Sequence, residues 1–505
     1  MQILYNADTL AHEVKELVGA RLIPAYESPA RIAALLAALQ LRPRFAVTTV
    51  TTDVPRAEAA AAKIHTPEYL DHLRSAFATS LRFGLVPPDG CLLPECFPVT
   101  RLPLHRRKCR APRNLAARLG FFAFDLSSGI GAGTWPAALA SADLARRGAE
   151  ALVARPHQPV LALCRPPGHH CTPDLMGGYC YLNNTAIAVR TLLDALRLRP
   201  RRGAQGHGQD ERQAQAQAQA QEGGQQEGGQ QGDGQQGDGQ QGDGQQGDGQ
   251  QDEDRQAQAQ AQEEGGQEGE GAEQGAAEEV EQVSVLDLDF HHGNGTQQIF
   301  YADRNPCYVS IHGEDEYPFF SGAACETGDG PGEGYNLNLP IPCCPADEPE
   351  GEGEGDDGGS SSGGGVVDWE TYSSQFELAL AKLTAVRTKW LVISLGFDTF
   401  ADDPVGKFWL QRCDYATMGE AIGRLALPTL VVLEGGYVVD ELGANCVAFL
   451  DGLQRGKPAA ATGGAGTPDT GTTPDGTSTG TSTPTGSDRL GTRDDSMPDI
   501  TLRLR

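Results

Sequence analysis

Four of the eleven histidines stand in two doublets, and each doublet follows a short apolar run: Arg165-Pro166-Pro167-Gly168-His169-His170 and Asp287-Leu288-Asp289-Phe290-His291-His292-Gly293-Asn294. Two further apolar runs end in Gly396-Phe397-Asp398 and Glu434-Gly435-Gly436-Tyr437. Asp289 and His291 are two residues apart, so on an extended backbone their side chains project to one side and can grip one ion. Asp398 supplies a third ligand. One imidazole and two carboxylates suit a borderline divalent ion such as Zn2+ and leave a fourth position for water. Such an ion lowers the pKa of that water from ~16 towards ~7. His169 and His170 are the matching proton acceptor and donor. Asp287 and Asn294 flank the metal run and can orient the two imidazoles, one partner anionic and one neutral, which separates acid from base. Tyr437, after two glycines, can offer its hydroxyl to the oxyanion of a tetrahedral intermediate.

Each feature alone has a plain structural reading. An aspartate after a strand commonly caps a helix, a glycine pair commonly turns the chain, and a single buried histidine is commonly a hydrogen-bonded core residue. It is the coincidence of four polar run ends that points to a site, and coincidence requires a scaffold that brings them together. Short β-branched runs alternate with segments of helical period, the pattern of a largely parallel sheet covered on both faces. Strands are predicted at Val160–Cys164, Val283–Leu288, Cys307–Ile311, Trp390–Leu395 and Thr429–Leu433, and residues 1–5 also begin like a strand. Helices are predicted at Pro136–Val153, Thr185–Leu196, Tyr372–Arg387, Tyr415–Leu425 and Glu441–Leu453. In such sheets ligands bind outside the carboxyl ends of the strands, where these polar residues collect.

The predicted fold class is α/β, one doubly wound, mostly parallel sheet domain carrying disordered insertions. The 505 residues carry a net charge of −28, but 18 acidic residues against 2 arginines lie between Gly203 and Glu279, and 7 more between Cys343 and Gly365. The first block contains four tandem Gly-Gln-Gln-Gly-Asp copies and cannot bury enough apolar surface to offset its ordering entropy. The domain therefore reads as 1–202 and 280–456, interrupted by a disordered acidic Gln/Gly insertion at 203–279 and a short acidic loop at 343–365, and followed by a disordered tail at 457–505.

Several classes are disfavoured. No apolar run approaches the ~18 to 20 residues of a membrane span. An acidic chain is a poor direct binder of nucleic acid. Twelve scattered cysteines without a Cys-x-x-Cys pair suit a reducing compartment, cytoplasmic or nuclear, and argue against a thiolate zinc site. The basic run His105–Arg110 reads as a nuclear-import signal, a substrate-docking loop or, most simply, a solvated surface loop.

The stretches Arg165–Asn184, Val285–Phe300, Ser394–Thr399 and Leu433–Tyr437, together with shorter matches at His65, Leu119, Gly133 and Glu326, resemble the arginase/deacetylase superfamily. Within it the chain resembles the zinc-dependent histone deacetylases and the bacterial acetylpolyamine amidohydrolases. The resemblance implies zinc on Asp289, His291 and Asp398, tandem acid/base work by His169 and His170 with Asp287 and Asn294 as partners, and oxyanion binding by Tyr437. It further implies a narrow substrate tunnel walled by Tyr179 and Phe320 and lined by the Gly178 backbone. A structural K+ would lie near main-chain groups of Asp287, Asp289, His291 and Ser310, and a homodimer is in keeping with the family. The superfamily's two-manganese branch needs further carboxylates where this chain has Gly293 and Phe400, so a single ion is preferred.

On substrate, relatives selective for polyamines place a glutamate at the tunnel rim in a position that is Val405 here. That departure favours N-acetyl-lysine in histones or other proteins, with acetylated polyamines as the alternative. A reading of another class is an inactive scaffold whose acidic insertion recruits partners.

Overall fold

Runs of aliphatic residues without polar interruption must be covered on both faces, as in parallel sheets, and they form the centre of this one. In the computed structural model, residues 1–18, 21–98, 111–199, 281–343 and 366–458 are described. The strands are β1 Gln2–Tyr5, β2 Lys15–Val18, β3 Arg21–Pro24, β4 Ala46–Thr49, β5 Val160–Ala162, β6 Val283–Asp287, β7 Cys307–Gly313, β8 Asn336–Ile341, β9 Trp390–Leu395 and β10 Thr429–Leu433. Eight of them form one sheet in the order β4-β1-β5-β10-β9-β6-β7-β8, and every neighbouring pair is parallel. β2 and β3 pair separately as an antiparallel hairpin. The insertion at 203–279, the basic run 105–110, all but the first residue of the acidic loop 343–365 and the tail beyond 458 lie outside the described residues.

The period of two along each strand sorts side chains into two apolar layers. Val283, Val285, Val392, Leu430 and Val432 pack towards the helices Thr134–Ala154 and Asn184–Arg197. Leu286, Leu391, Ile393, Val431 and Leu433 pack on the opposite face, towards Pro29–Gln40, Trp369–Ala385, Arg412–Arg424 and Val439–Gly456. The result is a helix–sheet–helix sandwich whose central strands are fully buried.

β9 and β10 coincide with the predicted strands, and the other boundaries differ for local reasons. β5 stops at Ala162 because the Cys164 amide turns back to the Ala162 carbonyl at 2.8 Å. Helix Trp369–Ala385 starts three residues before its predicted start because the Asp368 carboxylate accepts the Thr371 amide at 3.1 Å and caps it. The Asn183 side chain does the same for helix Asn184–Arg197, accepting the Ala186 amide at 2.8 Å. No helix among the described residues is long and apolar enough to cross a membrane.

The topology has one consequence for chemistry. β5, β10, β9 and β6 are consecutive neighbours in the sheet, so the four polar run ends at His169, Tyr437, Asp398 and Asp289 leave one stretch of its carboxyl edge. Ile393, fully buried in β9, tests how firmly that edge is held. Ile393→Ala is expected to cost about 2–5 kcal/mol through lost burial and a residual cavity, read as a lower urea midpoint with an unchanged slope.

Candidate metal centre

Ligand atoms of Asp289, His291 and Asp398 lie within 4.8 Å of one another. His291 Nδ1 faces both carboxylates, 3.2 Å from Asp289 Oδ1 and 3.0 Å from Asp398 Oδ2. The backbone fixes each acid from behind: the Phe290 amide donates to Asp398 Oδ1 at 2.9 Å and the Gly435 amide to Asp289 Oδ2 at 2.8 Å. Burial and the charge of Asp289 push the Asp398 carboxyl up to about 7. Two buried carboxylates this close repel one another unless a cation sits between them.

The surroundings suit such an ion. A Cβ on Gly435 would stand 2.4 Å from Asp398 Oδ2 and 2.7 Å from Asp289 Oδ2, so only bare backbone walls the acid pair on that side. Two anionic oxygens and one imidazole nitrogen are the donor set of a borderline divalent cation.

His169 and His170 stand beside this centre with ring centroids 4.1 Å apart. His169 Nδ1 lies 3.2 Å from Asp287 Oδ2, and His170 Nδ1 lies 2.8 Å from Asn294 Oδ1. Burial opposes charge on both rings. For His169 the carboxylates of Asp289 and Asp287 outweigh it and push the imidazole up to about 10. For His170 burial is reinforced by the neighbouring His169 and His291 charges, which hold it well below the ordinary histidine range. The two rings are thus pushed in opposite directions.

Gly178, whose backbone φ is +55°, presses so closely on His170 that an added Cβ would lie 2.2 Å from the ring. Tyr179 is buried, packs edge-on against Tyr437 at 5.8 Å and donates its hydroxyl to Glu16 at 2.9 Å. Tyr437 is held by its own amide, which donates to Asp403 Oδ2 at 2.7 Å, and by the Arg31 guanidinium 4.9 Å over its ring. Burial raises the Tyr437 phenol well above its ordinary range, so it stays protonated.

The structure corrects one residue. Phe320, expected as the second tunnel wall, is 95% exposed. Its ring contact is with Phe319, at 6.4 Å. Tyr317 takes the inner position instead, 5.0 Å from His170 and 5.8 Å from His291, edge-on to both. The turn in which the Phe319 amide bonds the Glu316 carbonyl and the Phe320 amide the Pro318 carbonyl separates these aromatics. The Tyr317 hydroxyl, donated to Asp125 at 2.7 Å, anchors it inward. Tyr317, Asp125, Glu16, Asp403 and Arg31 escaped sequence reasoning, since none sits in a motif with His or metal-ligand spacing.

If these three side chains form the metal site, His291→Ala leaves two repelling acids and no nitrogen donor. The expected outcome is one divalent ion per chain in the wild type and near none in the variant, checked by elemental analysis of proteins that both unfold cooperatively.

Comparison with known proteins agrees with this geometry. The histone deacetylase domain model matches residues 25–201 and 271–453. Acetylpolyamine amidohydrolase 2 of Pseudomonas aeruginosa is 32% identical over 459 residues, covering 90% of this chain and 99% of that protein. Histone deacetylase clr3 of Schizosaccharomyces pombe is 25% identical over 297 residues, 58% of this chain and 29% of that protein. Among solved structures, an acetylpolyamine aminohydrolase from Burkholderia pseudomallei superposes with a TM-score of 0.64 at 27% identity, over 91% of this chain and all of that one. With the acids, imidazoles and tyrosines gathered at one sheet edge, these matches show that the chain belongs to the histone deacetylase domain family and is an amide hydrolase of the deacetylase type.

Proposed function

We propose that the protein removes the acetyl group from acetylated polyamines, with zinc as its metal. The observation that carries this reading is the extent of the match. Resemblance to proteins named acetylpolyamine amidohydrolases runs over nine-tenths of this chain and nearly all of theirs, whereas the match to histone deacetylase clr3 covers 58% of this chain and less than a third of that protein. This reverses the preference for acetyl-lysine drawn from Val405 alone.

The charge around the aromatic side chains supports a cationic substrate. Glu16 is attached to the Tyr179 hydroxyl and Asp125 to the Tyr317 hydroxyl, so each inner tyrosine carries a carboxylate on its phenol. Burial, with a smaller contribution from the Asp125 charge, raises the Glu16 carboxyl above its ordinary range. Two acids in mutual repulsion favour an ammonium group entering between them. Val405 therefore removes one candidate acid without removing negative charge from the region.

Zinc held by Asp289, His291 and Asp398 would polarise the acetyl carbonyl and bring the pKa of water towards ~7. The protein groups divide the remaining work. His170, oriented by Asn294, takes the proton of the attacking water and delivers a proton to the amine nitrogen as the C–N bond breaks, leaving acetate and the free amine. His169, its Nδ1 3.2 Å from Asp287 and its Nε2 3.7 Å from Asp289, faces the same centre and is placed to stabilise negative charge developing there. The protonated phenol of Tyr437 donates to the oxyanion. Tyr179, Tyr317 and the Gly178 backbone exclude bulk water, which strengthens each of these interactions.

The reading is tested by comparing kcat/KM of the zinc-loaded protein on N-acetylputrescine and on an acetyl-lysine peptide. A preference of ~10-fold or more for the diamine is expected, about 1.4 kcal/mol of discrimination, with loss of both activities on chelation; faster cleavage of the peptide overturns it. Tyr437→Phe should keep its zinc and lose ~10²–10³ in kcat, the usual contribution of one oxyanion donor. Metal analysis beside steady-state kinetics separates that outcome from loss of the site.

A further inference from the structure

Glu434 is fully buried, and all four of its side-chain hydrogen bonds go to the catalytic scaffold. Oε2 accepts the backbone amides of Gly168 at 2.7 Å and His169 at 3.2 Å. Oε1 accepts the hydroxyls of Thr185 at 3.0 Å and Ser394 at 3.3 Å. The carboxylate at the end of β10 thus binds the loop after β5, the start of helix Asn184–Arg197 and the end of β9. The next residue, Gly435, gives its amide to Asp289 Oδ2 at 2.8 Å. Successive residues of one short segment therefore hold the His169 backbone and the metal ligand Asp289.

From this geometry we infer that Glu434 is a positioning residue, whose carboxylate sets the His169 loop in register with the metal acids. It touches no reacting atom. His169 Nε2 lies 3.7 Å from Asp289 Oδ1, a spacing controlled on one side by the Glu434 side chain and on the other by the Gly435 amide. A carboxylate suits the task because it offers about four acceptor sites, which two amides and two hydroxyls fill. A second role is available on paper, since ligand atoms of His169, Cys180 and Glu434 also lie within 4.8 Å of one another. Hydrogen bonding argues against it: both Glu434 oxygens are already engaged, and the Cys180 thiol donates to the Gly178 carbonyl at 3.3 Å.

The inference rests on the deacetylase reading but not on the polyamine preference, so it is tested with whichever acetamide the wild type cleaves best. Three full-length variants are compared for kcat, KM and zinc per chain. Glu434→Ala empties the clasp, and Glu434→Asp withdraws the carboxylate by one methylene while keeping its charge. Glu434→Gln keeps the reach: its amide oxygen can accept both backbone N–H groups, and its NH2 can donate to the two hydroxyls once they rotate. The expected result is a fall in kcat of ~10²-fold for Ala and Asp, as for a misplaced catalytic group. KM should stay within about threefold, with one zinc retained and rescue of kcat by Gln. A merely structural role predicts instead that any loss follows folded fraction or zinc content. Unchanged kcat in the Asp variant, loss confined to KM or zinc, or a Gln variant as slow as Asp each overturns the inference. The Asp and Gln pair decides the matter if the Ala variant does not fold.

Discussion

Asp289 and Asp398 are both essentially removed from water and share one histidine, and much of the surrounding architecture answers that arrangement. Two desolvated like charges cannot stay ionised at this distance without compensation. The protein provides part of it through amides aimed at the outer oxygens and through the imidazoles of His291 and His169. A divalent cation would supply the remainder, and the repulsion would then become affinity for that ion. Asp289 acts on His169 as well: its Oδ1 lies 3.7 Å from His169 Nε2 and is the largest attraction raising that imidazole.

Holding such a centre asks for rigidity on several sides, and the sheet provides it. The groups that touch the acids come from the ends of β5, β6, β9 and β10, which are adjacent and buried from both faces. Side chains on regular strands are placed more reproducibly than those on loops. The aromatic side chains are placed differently, by phenol hydrogen bonds from Tyr179 to Glu16 and from Tyr317 to Asp125. The two sets of side chains are thus held by separate means, the acids and imidazoles beyond adjacent strand ends and the aromatics by distant carboxylates.

Much of this was legible in the sequence because it is written locally. The Asp289–His291 spacing, the His169–His170 doublet and the unbroken aliphatic runs each state their geometry within a few residues. Asp287 and Asn294 were found as orienting groups because they flank the same run. The placement of the aromatic side chains was harder to read. Tyr317, Phe319 and Phe320 are three aromatics within four residues, and only the turn and a hydrogen bond to Asp125, 192 residues away in sequence, decide which of them faces inward. Glu16 and Arg31 were invisible for the same reason, since their partners Tyr179 and Gly436 are distant in the chain. Val405 is one rim position, whereas attraction for a cation depends on the sum of charges around the opening.

Among the described residues the last strand in chain order, β10, lies in the middle of the sheet, between β5 and β9. A chain that ended before residues 429–433 would leave two partial sheets, β4-β1-β5 and β9-β6-β7-β8, with facing unpaired edges. Such edges invite pairing with other chains. A product truncated there would lack the central strand of the sheet together with Glu434 and Tyr437.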